Sequence, residues 1–219
     1  MIISIHIPKT AGLTFLNLLT QVYGAKLVTD YEDKPDAFNF KLKKFNLNPF
    51  NPFDRLIYRY LHSKSCIHGH FLLAKYKYVP NAKFIAWVRD PVQRVMSHYY
   101  HWQRVYDPLN ATCVYLYENK LSLLEFARLE PMRNLQKYYL SDKPVNKMKF
   151  IGVTEYFKES IQSFNTIFSL DLPYDLKLNI NPEPYEVEAS ILDKIRDLNL
   201  EDMKLYEAVL RKYNYSQTI

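Results

Sequence analysis

At 219 residues the chain is long enough for one α/β domain with a sizeable core, which excludes a scaffold dependent on disulfide or metal staples. Lys and Arg number 29 against 23 Asp and Glu, a net charge of +6 that favours polyanionic ligands without naming one. The two cysteines, Cys66 and Cys113, lack metal-ligand spacing and are expected as buried free thiols, and no apolar run is long enough to span a bilayer, so a cytoplasmic protein without membrane insertion is expected.

Four of the six residues 2–7 are isoleucine, the β-branched run of a strand buried on both faces. Pro8 ends it, having no N–H for the ladder. Lys9, Thr10, Gly12 and Thr14 then form a polar turn, and the apolar run 15–19 has helical period. A strand, a tight turn containing glycine and a helix start together make an anion cradle, because the first helical N–H groups lack internal partners and the helix dipole adds positive charge. Lys9 adds a full charge. The order is not that of a Walker A loop, where the lysine follows a second glycine; here Lys9 precedes Gly12.

A helix over about 14–23 follows, with Gly24 as its C-cap, then a second short strand at 25–29. Residues 30–51 are polar, aromatic and proline-containing. With Lys41, Lys43, Lys44, Arg55 and Arg59, the insert reads either as a solvated loop with a short surface helix or as a substrate-binding lid. Residues 65–71 read as a strand end running into a loop, and 83–88 as a buried strand stopped by Arg89, Asp90 and Pro91. Asp90 is a good N-cap and Pro91 suits the first helical position, so a helix is predicted over about 92–105. Further helices are predicted near 121–129, 132–140 and 157–168, a strand at 150–154, a proline- and asparagine-rich loop at 176–184, and an amphipathic stretch at 186–213 broken near Asn199. Strands alternating with helices predict a parallel sheet covered on both faces, and no linker divides the chain, so a single domain over 1–219 is expected.

A second anion site is legible at Arg89. It stands at the C-terminal edge of a strand, where open α/β sheets bind ligands. Ser97 lies about two helical turns further on. A guanidinium fork and a hydroxyl hold one phosphate from two sides. Arg94, four residues after Asp90, is expected to tie the helix start. His68 and His70 flank Gly69 and project to one side of an extended strand. As an unperturbed imidazole titrates near neutrality, either suits a general base; zinc ligation or simple packing are the other readings of such a pair. Nothing is assigned to His98 and His101.

His6-Ile7-Pro8-Lys9-Thr10-Ala11-Gly12-Leu13-Thr14 resembles the H-I-P-K-T-[AG]-G-T-[ST] loop that receives the 5′-phosphosulfate in sulfotransferases using 3′-phosphoadenosine 5′-phosphosulfate (PAPS), of the carbohydrate type related to heparan sulfate (uronosyl) 2-O-sulfotransferase. Arg89-Asp90-Pro91-Val92-Gln93-Arg94 with Ser97 resembles that family's R-D-P-x-x-R-x-x-S element, which holds the 3′-phosphate. Weaker likeness continues at 68–70 and 151–157. The resemblance implies the P-loop-like three-layer fold with a central parallel sheet, and PAPS as cofactor, with adenosine 3′,5′-bisphosphate (PAP) as product and no metal. It implies a saccharide or other alcohol as acceptor.

The resemblance further implies Lys9, Thr10, Ala11, Gly12, Leu13 and Thr14 around the 5′-phosphate, Arg89 and Ser97 on the 3′-phosphate, and Gly152 and Thr154 near the adenine. Lys177 would be the charge of a loop closing over the 3′-phosphate, unless that loop is a plain connector. Lys9 would stabilise the leaving phosphate, with His70 as base and His68 assisting. Leu13 departs from the family's Thr, which removes one hydroxyl contact and leaves backbone N–H groups, Thr10 and Thr14. Asn134 and Gln136 resemble a polar N-x-Q stretch assigned to substrate or loop support. Two other classes remain at this point: a P-loop-fold kinase, disfavoured by the missing Walker A order, and a non-catalytic nucleotide or polyanion binder. No nucleic-acid reader motif is present.

Overall fold

The computed structural model describes residues 1–31, 51–140, 145–175 and 186–215. Five short strands form one all-parallel sheet: β1 (Ile2–Ile5), β2 (Leu27–Asp30), β3 (Cys66–Gly69), β4 (Lys83–Val88) and β5 (Phe150–Val153). Their order is β2-β3-β1-β4-β5. β1 therefore sits centrally, bonded to β3 with Ser4 opposite His68, and to β4 with Ile5 opposite Ala86. The chain leaves β1 in one direction for β2 and later returns past it to β4, so a switch point of the sheet lies at the C-terminal end of β1.

The described helices are α1 (Gly12–Tyr23), α2 (Pro52–His62), α3 (Pro91–Arg104), α4 (Ala111–Glu118), α5 (Leu123–Arg128), α6 (Leu135–Leu140), α7 (Phe157–Phe168), α8 (Ala189–Leu198) and α9 (Leu200–Tyr213). Strand alternation sorts the core into two layers. Ile2, Cys66, Ile85, Trp87 and Phe150 face Phe15, Leu18 and Leu19 of α1 and Phe157, Ile161 and Phe164 of α7. Ile3, Ile5, Ile67, Ala86, Val88 and Ile151 face α2, α6 and α9 through Leu61, Tyr139, Leu205 and Val209. Both faces of the strands are thus covered, which is why the strand sequences read as unbroken apolar runs. A third cluster joins α3, α4, α5 and α8 around Trp102, Phe126 and Ile195.

The predicted elements recur with edge shifts of up to three residues, and the stretch 186–213 does break at Asn199, into α8 and α9. α4 is the helix the sequence pattern did not announce. Its residues are poor helix formers, but Asn110 accepts from the N–H of Thr112 and Cys113 and caps it. Cys66 and Cys113 are buried free thiols. Among the described residues no helix is long and apolar enough to cross a membrane.

Candidate functional site

The turn after β1 is built to hold N–H groups open. Lys9 and Ala11 both take left-handed backbone, with φ of 69° and 62°. Each such non-glycine residue costs on the order of 1–3 kcal/mol and persists where surrounding structure enforces it. The enforcement here includes Thr10, fully buried, whose hydroxyl donates to the Ile7 carbonyl at 2.9 Å. Alternating left-handed residues turn successive N–H groups into an anion-binding concavity. α1 then begins without a side-chain cap and without an acidic residue in its first turn. Its leading N–H groups are therefore left for a ligand. The Thr10 hydroxyl proton, expected from the sequence to face a phosphate, is instead given to the Ile7 carbonyl and shapes the turn. Leu13 is 67% exposed, so the residue in place of the family's Thr presents an apolar side chain to solvent. Thr14 is half-buried on the first turn.

Because β1 and β4 are neighbours and parallel, the residue after β4 arrives beside this turn. The Arg89 guanidinium donates through Nη1 to the Lys9 carbonyl at 3.4 Å. Arg89 is held from behind. Gln136 of α6 accepts from its N–H and donates to its carbonyl, both at 2.8 Å. The Glu155 carboxylate lies 3.7 Å from its Nε, accepts from the Asp90 N–H at 3.1 Å, and accepts from the Tyr206 hydroxyl at 3.1 Å. Burial, then the charges of Arg89 and Arg104, push the Lys9 ammonium down to about 8. Burial also lowers Arg89, against the pull of Glu155 and Asp90. A pocket whose cations destabilise one another is one that an anion relieves.

Arg94 does not tie the helix start. It is fully buried and donates through Nη2 to the Met132 carbonyl at 2.6 Å, while the Asp90 side chain caps the Gln93 N–H. The carboxylate that most favours its charge is Asp202 of α9, and burial still pushes it down to about 10. The i,i+4 spacing was outweighed by the third core cluster, toward which this face of α3 is turned.

Three histidines gather on the α1 side of β1 and β3. His68 is 1% exposed, with Nδ1 against the Ser4 hydroxyl at 2.8 Å. Burial, then His70, push it down to about 3, so it is a neutral ring beneath the site. His70, just past β3, is half-buried, and its Nδ1 lies 2.6 Å from the His6 carbonyl. A carbonyl only accepts, so Nδ1 carries the proton and Nε2 the lone pair. Burial lowers its affinity for a second proton. His70 is thus a neutral imidazole with a fixed basic nitrogen. His6 packs its ring 4.2 Å from that of His70 and 5.0 Å from that of His68, and its Nδ1 meets the Tyr31 hydroxyl at 2.9 Å.

No protein-family model matches the sequence, and no curated protein does. Among solved structures, a sulfotransferase from Alicyclobacillus acidocaldarius aligns with TM-score 0.50 and 16% identity over 95% of each chain. The fold is that of the sulfotransferases. A mouse sulfotransferase, SULT7A1 complexed with PAP, aligns over 93% of this chain and 64% of its own, with TM-score 0.42 and 13% identity. At these identities the likeness is one of fold, and chemistry has to be argued from the site.

Within that sulfotransferase fold, Lys9, Arg89 and His70 share the C-terminal edge of the sheet, and Ser97 is half-buried on α3. Gly152 lies inside β5, where a Cβ would meet the Trp87 ring at 2.6 Å, so its missing side chain serves packing. The Thr154 hydroxyl donates to the Val88 carbonyl at 3.0 Å and ties the ends of β4 and β5. Asn134 and Gln136 support rather than line the site: the Asn134 carboxamide caps α9 at Glu201 and Asp202. His98 is buried over Trp102, and its Nδ1 has no hydrogen-bond partner among the described residues. Lys177, the loop around it and the insert lysines Lys41, Lys43 and Lys44 lie outside the described residues. Sequence reasoning missed Glu155 and His6 as site residues. His6 stood inside the first motif and Glu155 inside the weaker likeness at 151–157, and only their contacts across the sheet mark them.

Proposed function

We propose that the chain is a PAPS-dependent O-sulfotransferase acting on a hydroxyl of a saccharide or similar alcohol. The observation that carries this is the Arg89 guanidinium against the Lys9 carbonyl, which joins two basic pockets on one sheet edge, beside a histidine whose Nε2 is free to accept a proton. The residues fit a doubly phosphorylated nucleotide: an uncapped helix start and left-handed turn for one end, Arg89 and Ser97 for the other. When bound, PAPS supplies the sulfuryl group and takes away the electron pair of the broken S–O bond as PAP. Lys9 and the N–H groups of the turn hold the charge that develops on the leaving phosphate. His70 Nε2 takes the acceptor's proton as its oxygen bonds to sulfur. Arg89, clamped by Gln136 and Glu155, would hold the phosphate at the other end of the nucleotide. Tyr31, half-buried with its ring centroid 4.8 Å from that of His70, offers an aromatic surface for a sugar ring.

The test is mass spectrometry of a panel of saccharides and simple alcohols incubated with PAPS and the full chain in chelator. A mass gain of one sulfuryl group, abolished in His70→Ala while PAP still binds, is expected. PAP binding with no acceptor modified would favour a nucleotide-binding protein, and phosphate transfer from ATP a kinase. Wild-type turnover in His70→Ala would remove it as base.

A further inference from the structure

We propose that His6 is a positioning residue that locks the His70 ring and sets its distance from the anion turn. The inference rests on the sulfotransferase reading above and deepens it. His6 reaches both halves of the site. Its carbonyl takes the His70 Nδ1 proton at 2.6 Å, and its N–H extends the β1–β3 pairing to the Gly69 carbonyl at 2.8 Å. Its ring lies against Gly12, the first residue of α1, where any Cβ would stand 1.9 Å from Cδ2. The same ring packs on that of His70, with centroids 4.2 Å apart. The Tyr31 hydroxyl pins Nδ1 at 2.9 Å, so the ring has little freedom to turn. One buried residue, 6% exposed, thus spaces the helix start that grips the leaving group from the imidazole that takes the proton. A phenyl ring would fill the same gap but would lose the tie to Tyr31. That polar edge is the reason for an imidazole here.

Among the described residues, the groups facing His70 are His6 just after β1, His68 on β3, Tyr31 after β2 and Tyr139 on α6, with His98 of α3 within electrostatic reach. Removal of the His6 ring opens space beside His70 and admits water, which competes for Nδ1–H and lets the ring rotate.

The decisive readout is the tautomer of His70, from ring nitrogen shifts of the full chain labelled with 15N-histidine. Wild type is expected as a single Nδ1–H form. His6→Ala should show a mixture, and His6→Phe should restore the single form. In turnover, His6→Phe and Tyr31→Phe should each lower kcat on the order of tenfold with KM for PAPS within about twofold. The double variant should be no worse than either single one, since both remove one tie. A single Nδ1–H form in His6→Ala would overturn the proposal. So would additive losses in the double variant, an outcome that decides the matter should His6→Ala fail to fold. The ring measurement needs neither cofactor nor acceptor, so it stands apart from the wider reading, which fails instead if wild type does not bind PAP.

Discussion

Lys9 carries the site's electrostatics in a form that can be measured. In the ligand-free protein burial and the neighbouring Arg89 and Arg104 push it down to about 8, well below the lysine range. An anion in the turn opposes the second cause and raises Lys9 above that value. Above that pH the free protein has lost the proton that the bound form keeps, so binding must take one up. Affinity for PAP should therefore fall as pH rises past about 8, and calorimetry in buffers of different ionisation enthalpy should register proton uptake at about pH 9. Binding that is independent of pH there, with no uptake, would contradict the placement of Lys9 at the phosphate. The sequence showed Lys9, Arg89 and His70 because local pattern marks a turn and two strand ends. It could not show that the Thr10 hydroxyl turns inward to Ile7, that Arg94 is buried under Met132, or that Gly152 makes room for Trp87. Those choices are made by partners distant along the chain.

Between elements, α6 and α9 cap one another. Asn134, just before α6, accepts from Glu201 and Asp202 of α9, and the Asp202 carboxylate accepts from Gln136 and Lys137 of α6 at 3.0 and 2.7 Å. The same α6 presents Gln136 to Arg89, so the clamp behind the guanidinium is only as firm as this junction. Asp202 is fully buried, and Arg94 is the charge that most favours its ionised form there. Asp202→Ala leaves a buried arginine uncompensated and two helical N–H groups bare. It should cost about 1–3 kcal/mol of stability, read from chemical denaturation. A loss below about 1 kcal/mol would mean that Arg94 finds its compensation elsewhere. The break at Asn199 was visible in the sequence as a polar interruption of an amphipathic run. The pairing of its two flanks with α6 was not, since caps across some 65 residues leave no local periodicity.

For the whole molecule, the sheet order decides the chemistry. With β1 flanked by β3 and β4 and every pair parallel, the turn at Lys9, the ring of His70 and the fork of Arg89 must emerge on one edge. Alternating strands and helices made the parallel sheet predictable, but not which strand lies in the middle. A different order would have separated the two basic pockets and left each an ordinary loop. The most direct measurement is calorimetric titration of the full chain with PAP in chelator, alongside ATP with Mg²⁺. Wild type should bind PAP without metal, and Lys9→Ala and Arg89→Ala should each weaken that binding by roughly 10- to 100-fold, the worth of one charge-assisted contact. Tight binding of ATP with Mg²⁺ and none of PAP, or PAP affinity unmoved by both substitutions, would contradict the account.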